Sequence, residues 1–73
     1  VLIVEDEALI SMQVEDAAIA LGATVAASVG TVEEALAELD RQRPDLAVID
    51  VNLGGKRSDP VADRLAAMGV PFI

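Results

Sequence analysis

The segment LAVIDVNLGG, residues 46–55, passes from an apolar run into an acid, Asp50, and then into a loop with two glycines. The segment VLIVEDE, residues 1–7, has the same form, with Glu5 and Asp6 directly after its apolar run. Short continuous apolar runs rich in β-branched residues are typical of strands buried on both faces. The acids therefore follow the carboxyl ends of two predicted buried strands.

A helix is predicted directly after the first strand, over residues 7–21. Its apolar residues recur at the spacing of one helical face. The predicted inner face consists of Ile10, Val14, Ala17 and Leu21. Gly22 then supplies the stop signal, because glycine readily adopts the backbone conformation that ends a helix.

The rest of the chain continues this alternation of strand and helix, marked by helix caps and turn residues. We expect, in this order, a weak strand at 23–28, a helix opened by a Thr31–Glu34 capping box, a strand at 45–50, a loop at 51–58, a helix from Asp59–Pro60 to Gly69, and a fourth strand at 70–73. Strands that alternate with helices indicate a parallel sheet covered by helices.

The order of the strands follows from their composition. The first and third strands are the most continuously apolar, which suits central positions, whereas the second suits an edge. Neighbouring strands lie about 4.8 Å apart, so adjacency of the first and third brings their acids into one site. We therefore predict a flavodoxin-like α/β fold, a doubly wound parallel sheet with strand order 2-1-3-4. Its ligand site lies at the carboxyl ends, where the chain reverses direction.

This order also distributes the helices unequally. Because crossovers are right-handed, the first helix covers one face alone and the second and third share the other. A helix about 10 Å wide cannot cover four strands, so we expect apolar surface to remain exposed beside the first helix.

Composition limits the functions open to this chain. Its 73 residues carry 13 acids against 5 bases, a net charge of −8, which argues against nucleic-acid binding. The absence of cysteine and histidine removes disulfides, thiolate chemistry and the commonest catalytic base. No apolar run approaches the roughly 18 residues needed to span a bilayer. Composition leaves the compartment open, and we expect a single soluble domain that binds no membrane and lies in the cytoplasm.

Three carboxylates at one edge of a sheet repel one another unless a cation offsets their charge. Mg²⁺ commonly binds one or two carboxylates together with water and a phosphate. A carboxylate can then attack a held phosphoryl group, and Asp50 is the candidate nucleophile. The competing interpretation is that such acids merely cap the following helix, as Asp6 or Glu7 could.

The segment VLIVEDE, followed by LAVIDVNL from residue 46, resembles the CheY-like receiver domain of response regulators in two-component signalling. The resemblance runs in register along all 73 residues. It implies that Asp50 is the phosphoacceptor and that Asp6 binds the metal directly. It further implies that Glu5 acts through a metal-bound water and that Asn52 offers its backbone carbonyl.

The same resemblance implies a function. A sensor histidine kinase or a histidine phosphotransfer protein would phosphorylate Asp50 with the help of Mg²⁺, and a conformational change would relay the signal. Such a domain is a signalling phosphoacceptor rather than an enzyme, and an output domain or a second copy of the chain is a further candidate partner. The family's fifth strand, its switch hydroxyl and its lysine would lie beyond Ile73, so we expect residues 1–73 to be the N-terminal part of a receiver domain.

Two features depart from the family pattern. Gly54 stands four residues after the acceptor, where the family usually has proline, and Lys56 lies in a different loop from the family's lysine. The run of Gly54, Gly55 and Lys56 lacks the spacing of a nucleotide-binding loop, so a turn is the better interpretation.

Two other classes remain open. A haloacid-dehalogenase-type phosphatase also uses an aspartate after a parallel strand, but it needs a second acid two residues later, where this chain has Asn52. A pseudo-receiver that binds partners without phosphorylation would be indicated by the loss of a site acid, and none is lost.

Overall fold

The computed structural model describes all residues 1–73, and its helices and strands alternate along the chain. The elements are β1 (Leu2–Val4), α1 (Ala8–Ala20), β2 (Ala27–Val29), α2 (Val32–Arg41), β3 (Ala47–Ile49), β4 (Asn52–Leu53), β5 (Lys56–Arg57) and α3 (Asp59–Met68). Strands β1, β2 and β3 form one parallel sheet in the order β2-β1-β3, which confirms the predicted central position of β1. The fold is the flavodoxin-like α/β fold expected from the sequence.

The segment predicted as a fourth strand lies beside β3, as expected, but forms a single parallel bridge rather than a strand. Phe72 is the bridge partner of Ala47, whose N–H donates to the carbonyl of Pro71 at 3.1 Å. The N–H of Ile73 donates back to the Ala47 carbonyl at 3.0 Å. Pro71 has no N–H, so the ladder cannot extend toward the start of β3.

The main core lies between the sheet and the two helices α2 and α3. The nine buried residues of this cluster come chiefly from β1, α2, β3 and α3, and they are Leu2, Val4, Ala35, Leu39, Ala47, Leu53, Val61, Leu65 and Val70. As predicted, α2 and α3 share one face of the sheet. The side chain of Ile3, between Leu2 and Val4 in β1, points to the opposite face because side chains alternate along a strand.

Helix α1 covers that opposite face, and the inner face predicted for it is right only in part, because Val14, Ala17 and Leu21 line an apolar groove beside the sheet whereas Ile10 does not. Ile10 is 39% exposed and Leu21 is 88% exposed, and Ser11 is the buried residue of α1. The hydroxyl of Ser11 hydrogen-bonds to that of Ser28 in the edge strand β2 at 2.5 Å. Because α1 also carries apolar residues such as Ile19 on other sides, the spacing of its apolar residues does not define one face.

An open apolar groove of about 320 Å³ lies beside α1, on the face that one helix was expected to leave uncovered. Nine hydrophobic residues line it, among them Val14, Ala18, Leu21, Val48 and Ile73. The prediction of exposed apolar surface on this face is therefore confirmed.

The loop predicted at residues 51–58 contains a short antiparallel hairpin. Strands β4 and β5 pair through Leu53 and Lys56, and the turn between them consists of Gly54 and Gly55. Both glycines have positive φ, +58° and +87°, as a two-residue hairpin turn of type I′ requires. The interpretation of this run as a turn is confirmed, although strands of two residues could not be predicted.

Helix α3 ends at Gly69, which has a φ of +72°, and Arg43 caps its last carbonyls. The guanidinium of Arg43 donates to the carbonyl of Met68 at 3.1 and 3.2 Å and to that of Gly69 at 3.2 Å. A cation at a helix C-terminus also interacts favourably with the helix dipole.

The substitution Arg43→Ala is expected to lower the free energy of unfolding by about 1 kcal/mol, because these charge-assisted hydrogen bonds are lost. In a domain of this size the corresponding fall in Tm is about 4–8 °C. Arg41→Ala is the matched control, since Arg41 makes one exposed ion pair with Glu38, which contributes only a few tenths of a kcal/mol. Thermal melting followed by circular dichroism would contradict the capping role if both variants melted together.

Candidate functional site

The site forms where the neighbouring strands β1 and β3 end. Their last residues, Val4 and Ile49, are partners in the parallel ladder. The N–H of Asp50 donates to the carbonyl of Val4 at 2.9 Å, so the chain segments that carry the acids are fixed in register. Because β1 and β3 are adjacent and parallel, Glu5, Asp6 and Asp50 lie at the same edge of the sheet.

The structure brings together the three acids that the sequence singled out. One carboxylate oxygen from each of Glu5, Asp6 and Asp50 lies within 4.8 Å of the other two. Glu5 and Asp50 are half-buried, whereas Asp6 is exposed. Clustered carboxylate oxygens are hard ligands of the kind that Mg²⁺ prefers, so the donor set fits this ion.

Two of the three carboxylates are oriented by backbone N–H groups. The N–H of Glu7 donates to Oε2 of Glu5 at 3.1 Å, and the N–H of Gly54 donates to Oδ2 of Asp6 at 2.9 Å. Asp6 therefore bonds to the hairpin rather than capping α1, and the N-cap residue Glu7 makes no side-chain capping bond. The helix-capping interpretation of these acids is not supported.

The carboxylate of Asp50 differs from its neighbours because it accepts no hydrogen bond within the chain. Both of its oxygens are thus free of protein donors. Among the three acids, Asp50 is the one whose oxygens are fully available for a cation and for bond formation.

The charge of the cluster alters the pKa of Glu5. The hydrogen bond from the Glu7 N–H lowers this pKa. Burial, the hydrogen-bonded neighbour Asp6 and the nearby charge of Asp50 raise the pKa, and their combined effect is larger. The net result is a pKa above the ordinary value for glutamate. Burial and repulsion among the acids together therefore oppose full ionisation of the site in the absence of a cation.

Asn52, the fourth residue named for the site, lies in β4 directly beyond the acidic cluster. Its partner in the hairpin is Arg57. The next pair toward the base of the hairpin is Val51 and Ser58, which is a hydrogen-bonded pair because the Ser58 N–H donates to the Val51 carbonyl at 2.8 Å. Hydrogen-bonded and non-hydrogen-bonded pairs alternate in antiparallel ladders. The Asn52 carbonyl is therefore not used by β5 and is free to accept another ligand.

Sequence reasoning missed the N–H of Gly54 as a part of the site. The resemblance drew attention to this position only because a glycine stands where proline is usual. Proline has no N–H and could not make the bond to Asp6. Lys56, by contrast, lies away from the acids and pairs with Glu33 of α2 at 2.7 Å.

Comparison with solved structures identifies the family. The chain is 50% identical to SdrG from Sphingomonas melonis Fr1, with a TM-score of 0.89 over 97% of this chain and 61% of that one. It is 46% identical to SdrG from Pseudomonas melonis Fr1 in its BeF3-activated conformation, with a TM-score of 0.82 over 99% of this chain and 62% of that one. The response-regulator REC domain of PhyR from Erythrobacter litoralis is 34% identical, with a TM-score of 0.89 over 99% of this chain and 57% of that one.

These similarities, together with the sheet order and the site at its carboxyl edge, show that the chain belongs to the response-regulator receiver domains. The chain spans about three fifths of the length of the SdrG chain that it matches. No protein-family model and no curated protein sequence matches it. None of its helices has the length and apolar character needed to cross a membrane.

The raised pKa of Glu5 predicts a pH-dependent gain in stability for Glu5→Gln in metal-free protein. A carboxyl whose pKa is higher when folded stabilises the protein below its unfolded pKa, and this contribution is lost as the pH rises through the folded value. Glu5→Gln should therefore raise stability at pH 7 by less than about 1 kcal/mol, because solvent screens these charges, and should have a smaller effect at pH 4.

The matched control for this measurement is Asp63→Asn, on the exposed side of α3 and remote from the acidic cluster. Urea unfolding in the presence of a chelator gives both free energies. A Glu5→Gln variant that is less stable than the wild-type protein at pH 7 would contradict the repulsion inferred for the cluster.

Proposed function

We propose that the protein accepts a phosphoryl group on Asp50 in a Mg²⁺-dependent reaction and relays the signal by a change in conformation. The donor is a sensor histidine kinase or a histidine phosphotransfer protein. The observation that carries this proposal is the convergence of Glu5, Asp6 and Asp50, with one oxygen of each within 4.8 Å of the others. Membership of the receiver family gives this geometry its functional context.

Asp50 is the nucleophile in this proposal because its carboxylate oxygens have no donor within the chain. One oxygen attacks the phosphorus of the donor, a P–O bond forms, and the P–N bond to the donor histidine breaks. The donor nitrogen keeps the electron pair of that bond. The product on the protein is an aspartyl-phosphate, a mixed anhydride that can later be hydrolysed.

The remaining residues hold the ion that the reaction needs. Asp6 and Asp50 would bind Mg²⁺ directly, with the backbone carbonyl of Asn52, while Glu5 would act through a bound water. When bound, the ion supplies positive charge that offsets both the acids and the incoming phosphoryl oxygens. Glu5 and Asp6 are held for this role by the backbone N–H groups of Glu7 and Gly54.

Three observations favour this function over its alternatives. A phosphatase that uses an aspartate nucleophile would need an acid at position 52, and the amide of Asn52 cannot act as a general acid or base. All three site acids are present, so no residue is missing in the way a pseudo-receiver would show. The SdrG relative has also been solved in a BeF3-activated conformation, and tetrahedral beryllium fluoride is an analogue of a phosphoryl group.

Asp50→Asn is expected to abolish labelling by an acyl phosphate such as acetyl phosphate in the presence of Mg²⁺, because the nucleophilic oxygen pair is lost. Intact-mass spectrometry measures the added phosphoryl group. Asp45→Asn is the control, since Asp45 is an exposed acid on the approach to the same strand, β3. Labelling that survives Asp50→Asn, with another residue modified, would rule out the proposed acceptor.

Asp6→Ala is expected to weaken Mg²⁺ binding more than Glu5→Ala, because a direct ligand contributes more than one acting through water. Both variants lose affinity, and the loss for an outer ligand such as Glu5 is of order ten-fold. Titration calorimetry with Mg²⁺ compares the two variants with the wild-type protein. Equal affinities for the wild-type protein and Asp6→Ala would overturn the assignment of Asp6.

A further inference from the structure

We propose that the N–H of Gly54 is a positioning group for the magnesium site, an inference that rests on the function proposed above. It holds the Asp6 carboxylate by one oxygen and leaves the other oxygen free to bind a cation. The β4–β5 hairpin is thus part of the metal site, although it contributes no side-chain ligand.

The contact joins two segments that are far apart in the sequence. The Gly54 N–H donates to Oδ2 of Asp6 at 2.9 Å across 48 residues. Asp6 is exposed, and the Gly54 N–H is the one backbone donor to its side chain. A free aspartate on the surface samples several rotamers, so fixing it before the ion arrives lowers the entropy cost of binding.

The hairpin that carries this N–H is anchored at three points. Leu53, directly before Gly54, is only 4% exposed and belongs to the main core. The Ser58 N–H closes the base of the hairpin on the Val51 carbonyl at 2.8 Å, and Lys56 is paired with Glu33 of α2 at 2.7 Å. The donor is therefore held by the fold and does not depend on the ion for its position.

The backbone conformation of Gly54 decides which substitutions can test this role. Its φ of +58° lies in the left-handed region, and a Cβ at this position would meet nothing within 4 Å. Asparagine tolerates that region and keeps the N–H. Proline cannot adopt a positive φ and has no N–H, so it removes the donor.

The test compares Gly54→Pro with Gly54→Asn by Mg²⁺ titration calorimetry of the whole protein. Gly54→Pro should lose about ten-fold in Mg²⁺ affinity, which is the usual scale for an outer partner of a metal ligand, and Gly54→Asn should stay within about two-fold of the wild-type protein. In the Asp6→Ala background, Gly54→Pro should cause no further loss, because the group that it positions is already absent.

A second measurement needs no change at Gly54. The amide proton resonance of Gly54 in the Mg²⁺-free protein should move upfield in Asp6→Ala, with Gly55 as the internal reference. During Mg²⁺ titration of the wild-type protein the Gly54 resonance should keep its hydrogen-bonded position. Movement to the position seen in Asp6→Ala would mean that the ion displaces the bond, and this would overturn the inference.

The outcomes separate this inference from the function on which it rests. Unchanged affinity in Gly54→Pro, or an equal loss in the Asp6→Ala background, overturns the positioning role and leaves the phosphoacceptor function intact. A wild-type protein that binds no Mg²⁺ and takes no label from an acyl phosphate overturns both.

Discussion

The parallel pairing of β1 with β3 is the constraint on which the rest of this structure depends. β1 is the middle strand of the sheet, and its three residues Leu2, Ile3 and Val4 are at most 1% exposed. A strand buried on both faces cannot shift its register without exposing apolar side chains and breaking its ladder. The position of Val4 opposite Ile49 is therefore fixed, and with it the meeting of the acids that follow.

The acidic cluster lowers the stability of the fold, because like charges are held close together. Three carboxylates are brought together by strands whose pairing is stabilised elsewhere, and burial together with repulsion from Asp6 and Asp50 raises the pKa of Glu5. Backbone N–H groups from Glu7 and Gly54 offset part of that repulsion by bonding two of the three acids. The third, Asp50, keeps both oxygens free. Negative charge is thus concentrated where the proposed Mg²⁺ ion and phosphoryl group would bind.

The two faces of the sheet differ in how they are covered. Helices α2 and α3 pack together over one face, and an ion pair between Arg64 and Asp40 joins them at 2.6 Å. Helix α1 covers the other face alone and leaves the apolar groove beside it. The difference follows from the right-handed crossovers. The connection from β1 to β2 runs in one direction across the sheet and the next two connections run in the other, so α1 lies on one face and α2 and α3 lie on the opposite face.

Much of this architecture could be predicted from the sequence, because local chemistry determined it. The apolar runs before Glu5 and Asp50 gave the neighbouring strands β1 and β3. One half of the predicted capping box of Thr31 and Glu34 is present, with the Glu34 N–H donating to the Thr31 hydroxyl at 3.0 Å, while the Glu34 carboxylate accepts from the N–H of Gly30 at 3.2 Å instead of that of Thr31. The grouping of the acids also followed, since the ends of adjacent parallel strands must meet.

The tertiary structure alone decided which side of α1 is buried and which group holds Asp6. Apolar residues lie on several sides of α1, so the hydrogen bond between the Ser11 and Ser28 hydroxyls and the packing on the sheet select its inner face. The bond from Gly54 to Asp6 joins residues 48 positions apart and uses a backbone N–H, which every residue except proline carries. A backbone donor has no signature in a sequence, because its role depends on where the fold places it.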